Sequence, residues 1–415
     1  MKSDIDALMQ SHNLDAILVL GDAEHNPPMY YLTGGGHISA ATLFKKRGEA
    51  PLLVHNDMER GEAEKTGLVT RSYSEYPLDP ELESAGDMAT ALALQLKAIL
   101  TEAGFDHGRM GVYGRLDIGT ALAILMKLRE LLPDVELVGE YGMTSIFTRA
   151  QETKDEGEVE RIRRVGEITT EVVGLTAEYL TSREVGEDEV LLDEYGKPLK
   201  LGKVKEKIRL WVAERGAELP DGFIFSIGRD AGIPHSMGNP EDLMRLGQTI
   251  VFDIFPAEAG GGYFYDFTRT WSLGYATPQA LELYSQVKEI SEKVLENYDL
   301  NAPFPDYHRM TCEYFEARGH QSQLNTPAPR EGYVHSLGHG VGLNIHERPG
   351  SRLTQGDDHR LAAGVVIASE PGLYYPDQGM GVRIEDTLWV RPDGQMEILA
   401  EYPYDFVLPM KKWKK

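Results

Sequence analysis

Two acids sit where apolar strands should be. Residues 250–269, IVFDIFPAEAGGGYFYDFTR, read as two β-strands joined by a glycine-rich turn, with Asp253 in the middle of the first strand and Asp266 inside the second, Tyr263–Thr270. A carboxylate in a buried strand is costly unless it is paired or binds a metal. Taken singly, either acid is explained by a salt-bridged hairpin, with Arg269 as the partner. Further along, VHSLGHGVGLNIHE places His335, His339 and His346 close together, with Gly340 and Gly342 allowing near approach of the backbone. An apolar strand in VVIASEPGLY ends on Glu370, after which Pro371 and Gly372 turn the chain away. In GVRIED, Arg383 and Glu385 are two apart, so in one strand they face the same side. An ion pair is the plain explanation there too.

Together these residues supply two aspartates, a histidine and two glutamates, a donor set suited to Mn²⁺, Co²⁺ or Zn²⁺ rather than to copper or iron–sulfur chemistry. Four carboxylates carry too much charge for one small ion and suit two. Two ions about 3.5–4 Å apart share bridging carboxylates, acidify a water and polarise a carbonyl.

The order Asp, Asp, His, Glu, Glu, with DFTRT, HSLGHGVGLNIHE, SEPGLY and VRIED around the ligands, resembles the pita-bread metallopeptidases, and within them the Xaa-Pro aminopeptidase and prolidase branch. MYYLTG resembles the matching stretch of their creatinase-like N-terminal domain. The resemblance implies a mixed α/β (α+β) fold: a smaller creatinase-like α/β domain over residues 1–150, then a pita-bread catalytic domain over 151–415. It implies that Asp253 holds one metal, that His339 and Glu370 hold the other, and that Asp266 and Glu385 bridge both. His235, in IPHS, matches a histidine near the scissile carbonyl. His335 and His346 match histidines that bind substrate and move protons, and Arg383 matches an arginine that pairs with a metal-ligating aspartate. Glu370 is the implied proton acceptor for the attacking hydroxide, and Arg352 stands where some prolidases bind a dipeptide's carboxylate.

The implied activity is that of a dinuclear-metal exopeptidase, with Mn²⁺ ahead of Co²⁺ or Zn²⁺. It would hydrolyse the bond between an N-terminal residue and proline in a di- or oligopeptide, as aminopeptidase or dipeptidase, and work as a homodimer. Two other readings stand beside it. One is a metal-dependent hydrolase or lyase of the same fold acting on an ectoine-derived, creatine-like or sulfonium compound; the other is a non-catalytic binding module. The retained ligands favour an enzyme, and the neighbouring histidines favour a peptidase. Asp253 and Asp266 are thirteen apart where the family usually has eleven. The turn therefore carries two extra residues, which keeps both acids on one face. The loop Gly186–Gly202 is also longer than usual, and both extensions bear on substrate length.

Positioning these residues takes two kinds of architecture. Up to about residue 150, short strands (Ala16–Leu20, Ala41–Phe44, Leu52–Val54, Met110–Tyr113, Val135–Val138) alternate with helical periods (Met88–Leu100, Ile118–Leu132), the grammar of an α/β layer domain. Met29–Gly36 reads as a glycine turn after an aromatic pair, and Thr148–Glu158 as a polar linker. Helices follow at Val159–Val172, Val204–Glu214 and Gln279–Asn297, Gly186–Gly202 reads as a loop or small hairpin, and Gly381–Leu399 as a hairpin turned at Pro392–Gly394. At 415 residues two domains are expected. The net charge of −24, with no basic cluster beyond Lys411, Lys412, Lys414 and Lys415, argues against a nucleic-acid partner. The single cysteine, Cys312, excludes a disulfide framework and reads as a core thiol. No stretch is apolar over the ~18 residues of a membrane span, and MKSDIDALMQ lacks the apolar run of a signal peptide. A cytoplasmic protein is the expectation.

Overall fold

The structure is a computed structural model that describes residues 4–413, so Lys414 and Lys415 of the basic tail lie outside it. The chain divides into two compact units. One runs to Gln151 and also takes in Gly260–Gly262; the other comprises Glu152–Ala259 and the chain from Tyr263 onward.

The first unit is built on six strands: β1 (Ala16–Gly21), β2 (Ala41–Lys46), β3 (Leu52–His55), β4 (Val69–Ser72), β5 (Gly108–Gly114) and β6 (Val135–Val138). They form one mixed sheet in the order β4-β3-β2-β1-β5-β6. Every residue of β1 is buried, which explains its unbroken apolar run. Ala16, Leu18 and Leu20 join a core with Leu96, Ile99 and Leu100 of the helix Met88–Glu102 and Ile124 and Leu128 of the helix Ile118–Leu131. Two features escape the sequence pattern. β4 is a half-exposed edge strand with little apolar alternation to mark it. Of the segment read as a glycine turn, Met29–Thr33 belong to a buried helix, Pro27–Thr33, started by its prolines, and the glycines follow it, with Gly34 at φ 82° closing it.

The expected linker is mostly helical. Thr148 to Ala150 end the helix Ile146–Ala150, and Glu156 opens a 26-residue helix, Glu156–Thr181. Its Asp155 and Glu158 form a capping box, so the acids that suggest a polar connection instead satisfy the free N–H groups of a helix start. Val159, Ile162, Val165 and Val172 are buried along one face, as their spacing predicts.

The second unit contains β7 (Ala217–Glu218), β8 (Phe223–Ile227), β9 (Thr249–Ile254), β10 (Ala257–Glu258), β11 (Phe267–Leu273), β12 (Gly338–Gly340), β13 (Glu347–Gly350), β14 (Val366–Ser369), β15 (Gly372–Tyr375), β16 (Met380–Arg383), β17 (Asp386–Val390), β18 (Met396–Ile398) and β19 (Val407–Leu408). Two sheets dominate, in the orders β19-β11-β9-β8 and β13-β12-β14-β17-β18; β7 with β10 and β15 with β16 form separate ribbons. Against them pack the helices Pro278–Glu296 and Phe304–Glu316, whose buried faces include Val287, Ile290, Val294, Phe304 and Phe315. Cys312 is fully buried in this core, and burial pushes its thiol up to about 11.

The hairpin predicted over Gly381–Leu399 splits. β17 and β18 do pair across Pro392–Gly394, but Gly381–Arg383 belong to β16 and pair with β15. The chain changes partner at Ile384–Glu385, and Glu385 bridges Thr268 of β11. Gly186–Gly202 forms isolated bridges within itself and with the segment after His235, through Val190 to Arg245 and Lys200 to Leu243.

Close strand packing is set by glycine. A Cβ on Gly338 of β12 would lie 1.9 Å from the carbonyl oxygen of Ala368 on β14. Gly338→Ala is expected to lower unfolding stability by about 1–3 kcal/mol. Gly174→Ala, in the helix Glu156–Thr181 where the new methyl meets only Tyr402 at 3.8 Å, is expected to raise it by about 0.5–1 kcal/mol. Urea unfolding of the two variants checks the contrast.

Candidate metal centre

β9 is buried along its whole length, and its residues divide by alternation. Phe252 turns into an aromatic group with Phe223, Phe225 and Trp271. Asp253 points to the other side. Across the ladder Asp253 pairs with Thr268 of β11, so these two lie side by side, and Asp266 stands just before the same strand. Asp266 is not inside the strand: β11 begins at Phe267, and the backbone N–H of Asp266 donates instead to the Thr387 hydroxyl at 3.2 Å. His339 lies on β12, beside a register shift between His339 and Gly340. Glu370 follows β14 directly, and Glu385 sits in the break between β16 and β17.

These elements bring the acids and His339 together. One ligand atom each from Asp266, His339 and Glu385 lie within 4.8 Å of one another. His339 Nε2 is 3.6 Å from Asp266 Oδ2 and 3.7 Å from Glu370 Oε1. Asp253 joins the group through Arg383, whose Nη2 donates to its Oδ2. Arg269, the partner suggested by the sequence for one of the two strand acids, instead pairs with Asp386 at 2.8 Å, because it faces away from Asp253 and Asp266.

Arg383 is fully enclosed and organises what surrounds it. Its Nε donates to the Thr268 hydroxyl at 3.2 Å, and that hydroxyl donates to Glu385 Oε2 at 2.6 Å. Its Nη1 donates to the Tyr374 hydroxyl at 2.8 Å. Tyr374 in turn reaches His335 Nε2 at 2.9 Å, while His335 Nδ1 is 2.8 Å from the Ser336 carbonyl. That network assigns the proton of His335 to Nδ1, with Nε2 accepting from Tyr374. Thr268 and Tyr374 are absent from the sequence-derived site. Period-two alternation from Asp266 to Thr268, and from Glu370 through Gly372 to Tyr374, is the signal that would find them.

The remaining candidates surround this group. His335 Nδ1 is 3.8 Å from Glu370 Oε2, and the ring of His346 lies 4.2 Å, centroid to centroid, from that of His339. Glu347, next to His346, is buried with Lys154 Nζ at 2.8 Å and accepts the backbone N–H of Asn344 at 2.9 Å, which ties down the turn carrying the histidine. His235 and Arg352 are exposed. The charge of His235 is felt at Asp253, His335 and His346, and that of Arg352 at His339 and His346.

The electrostatics are those of an unneutralised anion cluster. Burial raises the carboxyl of Asp253, offset in part by Arg383. Burial and then the charge of Asp253 raise Asp266 far above the usual range, and burial and then Asp266 do the same to Glu385. Burial pushes Glu370 up to about 8. Burial also holds His335 and His339 down to about 3, so both are neutral imidazoles at neutral pH. The Oδ1 atoms of Asp253 and Asp266 are buried without a hydrogen-bond partner, a condition native interiors avoid unless another group completes them. Divalent cations fit that need: oxygen donors, one neutral imidazole, excess negative charge and two unsatisfied oxygens.

Two outcomes follow for protein stripped of metal by chelator. Arg383→Met leaves Asp253 buried without its counter-charge, and is expected to cost about 3–5 kcal/mol of stability, read as a lowered urea midpoint. Stability is also expected to fall as pH rises. Each raised acid binds a proton more tightly folded than unfolded. Its contribution is therefore full below the ordinary carboxylate range near 4.5 and is lost on the way up to about 8 for Glu370. The thermal midpoint of the stripped protein should drop across that window, Glu370→Gln should flatten the slope, and added divalent metal should widen its stabilising effect toward pH 8.

Comparison with known proteins bears on this centre. Residues 160–392 match the profile of Metallopeptidase family M24. An Xaa-Pro dipeptidase of Pyrococcus furiosus is 27% identical over 276 residues, 65% of this chain and 75% of that one. An Xaa-Pro dipeptidase of Pyrococcus horikoshii is 25% identical over 391 residues, 94% of each chain. The crystal structure of a dipeptidase from Pyrococcus horikoshii OT3 has the same fold, with a TM-score of 0.74 at 22% identity, over 97% of this chain and 98% of that one. The α/β architecture with a pita-bread unit is thus shared from end to end, and the chain belongs to Metallopeptidase family M24, as a hydrolase of the metallopeptidase kind.

Proposed function

We propose that the protein is a two-metal exopeptidase that hydrolyses the bond between an N-terminal residue and proline, with Xaa-Pro dipeptides as its foremost substrates. The observation that carries this reading is the pair of unpartnered aspartate oxygens inside a buried cluster of four carboxylates that share one guanidinium. In this reading residues 1–150 form the creatinase-like domain and 151–415 the catalytic domain. Asp253 would hold one ion, His339 and Glu370 the other, and Asp266 and Glu385 both. When bound, two divalent ions polarise the scissile carbonyl and bring the pKa of water toward neutrality.

The chain's own groups do the rest. Glu370, partly open to solvent at 17% exposure, takes the proton of the attacking water and returns it to the proline nitrogen. His335, its nitrogens engaged by Ser336 and Tyr374, stands beside Glu370 as a neutral ring. His346 and His235, open to the solvent side, receive the peptide and its carbonyl. Arg383 works against the burial that raises Asp253 and aims its carboxylate. The exposed guanidinium of Arg352 receives the carboxylate of a dipeptide. Proline's tertiary amide and fixed ring do not fit sites that hold a backbone N–H at that position, so its bonds call for a dedicated enzyme. Mn²⁺ is the metal we propose, with Co²⁺ and Zn²⁺ suited to the same donors; by family resemblance the working form is a homodimer, and the cytoplasm is the compartment we propose for it.

The test is hydrolysis by metal-loaded protein of an Xaa-Pro dipeptide, an Xaa-Pro-Xaa tripeptide and the tripeptide with alanine in place of proline. Both proline peptides are expected to be cleaved, the dipeptide faster, and the alanine peptide left intact. Asp266→Ala should cost at least about 100-fold in kcat/KM. Cleavage of none of them, or equal cleavage of the alanine peptide, would remove the proposal.

A further inference from the structure

We propose that Lys205 is a positioning residue for His235: its buried ammonium holds the carbonyl of Met237 and so fixes the loop that presents the histidine. The inference rests on the reading of His235 as a residue that meets the substrate.

Lys205 lies on the helix Leu201–Glu214, on the face that buries Leu201, Val204, Ile208 and Val212. It is only 6% exposed. Lysines are almost never buried so far unless paired with an acid, yet among the described residues no carboxylate forms an ion pair with it. Its partners are oxygens of the backbone. Nζ donates to the Met237 carbonyl at 2.5 Å and to the Phe223 carbonyl at 3.4 Å, and lies 4.8 Å from the centre of the Phe223 ring. Burial, with the charge of Arg209 adding to it, lowers its ammonium to about 8. Such a charge is costly to bury, and what it obtains in return is a grip on one loop.

That loop, residues 233–239, otherwise has little to hold it. Ile233, His235 and Met237 are all exposed side chains. Ser236 N–H closes a turn to the Ile233 carbonyl at 3.0 Å. Gly238, at φ +77°, is pressed so close to β8 that a Cβ would meet the Phe225 carbonyl oxygen at 2.3 Å. On the near side of His235, the Pro234 carbonyl receives Arg383 Nη1 at 3.4 Å. The carbonyls on either side of His235 are thus drawn to two buried cations, one in the carboxylate cluster and one on the helix. One anchor would leave the loop free to swing about it. Two fix the backbone from which the imidazole projects.

The test uses full-length, metal-loaded protein and an Xaa-Pro dipeptide, with kcat and KM measured for the wild type, Lys205→Met, His235→Ala and the double variant. Lys205→Met keeps an unbranched side chain one atom shorter and removes its donors. It is expected to lower kcat/KM roughly 10- to 100-fold, through whichever of kcat or KM His235→Ala changes. In the His235→Ala background it should cost less than about twofold more, because the two act through one contact. Lys205→Arg, which retains donors, should recover most of the loss. An equal loss in both backgrounds, or no loss in the wild type, overturns the proposal. Should Lys205→Met fail to fold, Lys205→Leu, which also lacks donors, carries the same comparison.

A second readout needs no activity. In the Zn²⁺ protein, the His235 ring resonance, identified by its loss in His235→Ala, is expected to move in Lys205→Met, while those of the buried His308 and the half-buried His320 stay in place. An unmoved His235 resonance overturns the proposal. If the wild type cleaves no Xaa-Pro peptide with any metal, the functional reading falls, and the ring resonance alone decides whether Lys205 positions His235.

Discussion

The structure depends on keeping a group of carboxylates dry. Asp253, Asp266 and Glu385 are withdrawn from water, with Glu370 at their margin 17% exposed, and the cation they share is Arg383. In such surroundings a charge is stabilised only by fixed partners, and their absence is felt more strongly than in solvent. The ladder that sets Thr268 opposite Asp253, and the bridge from Thr268 to Glu385, give Arg383 a hydroxyl on one side and the tyrosine of β15 on the other. Aromatic packing of Phe252 behind the same strand leaves Asp253 no other direction to face.

A second layer of buried charge supports the histidine-bearing turn. Lys154 and Glu347 are both almost fully enclosed, and Glu347 also holds the backbone of Asn344. Arg348, next in the chain, is equally enclosed and meets Glu152 at 3.1 Å and Asp358 at 3.0 Å. Buried pairs of this kind add little net stability compared with apolar packing, but removing one member is costly. Their effect is to leave the turn between His339 and His346 a single arrangement.

Much of this was legible in the residues themselves. Apolar periods marked the helices Glu156–Thr181 and Pro278–Glu296, and an acid interrupting an apolar run marked Asp253. The motif order marked the residues that the fold gathers, although they come from several strands and the breaks between them. Pairing was less legible. Nothing local distinguishes Arg269, which turns to Asp386, from Arg383, which turns to Asp253, because register across the ladder decides between them. The change of sheet at Ile384 leaves no turn residue behind, so Gly381–Leu399 looked like one hairpin. Asp266 looked like part of a strand because its neighbours favour strands, yet the ladder starts one residue later. The capping box of Asp155 and Glu158 carried the composition of a linker.

The bridge between Thr268 and Glu385 joins residues 117 apart in the chain. Closing a loop of that length is an entropic barrier that local hairpins do not face. The pair Asp253 and Asp266 can come together as soon as β9 meets β11, but the group of Asp266, His339 and Glu385 exists only after both large sheets have formed and met. A cation bound there therefore has nothing to grip in an early chain. It acts as a lock on a finished structure rather than as a template for building it, and its stabilisation is felt in how slowly the protein comes apart.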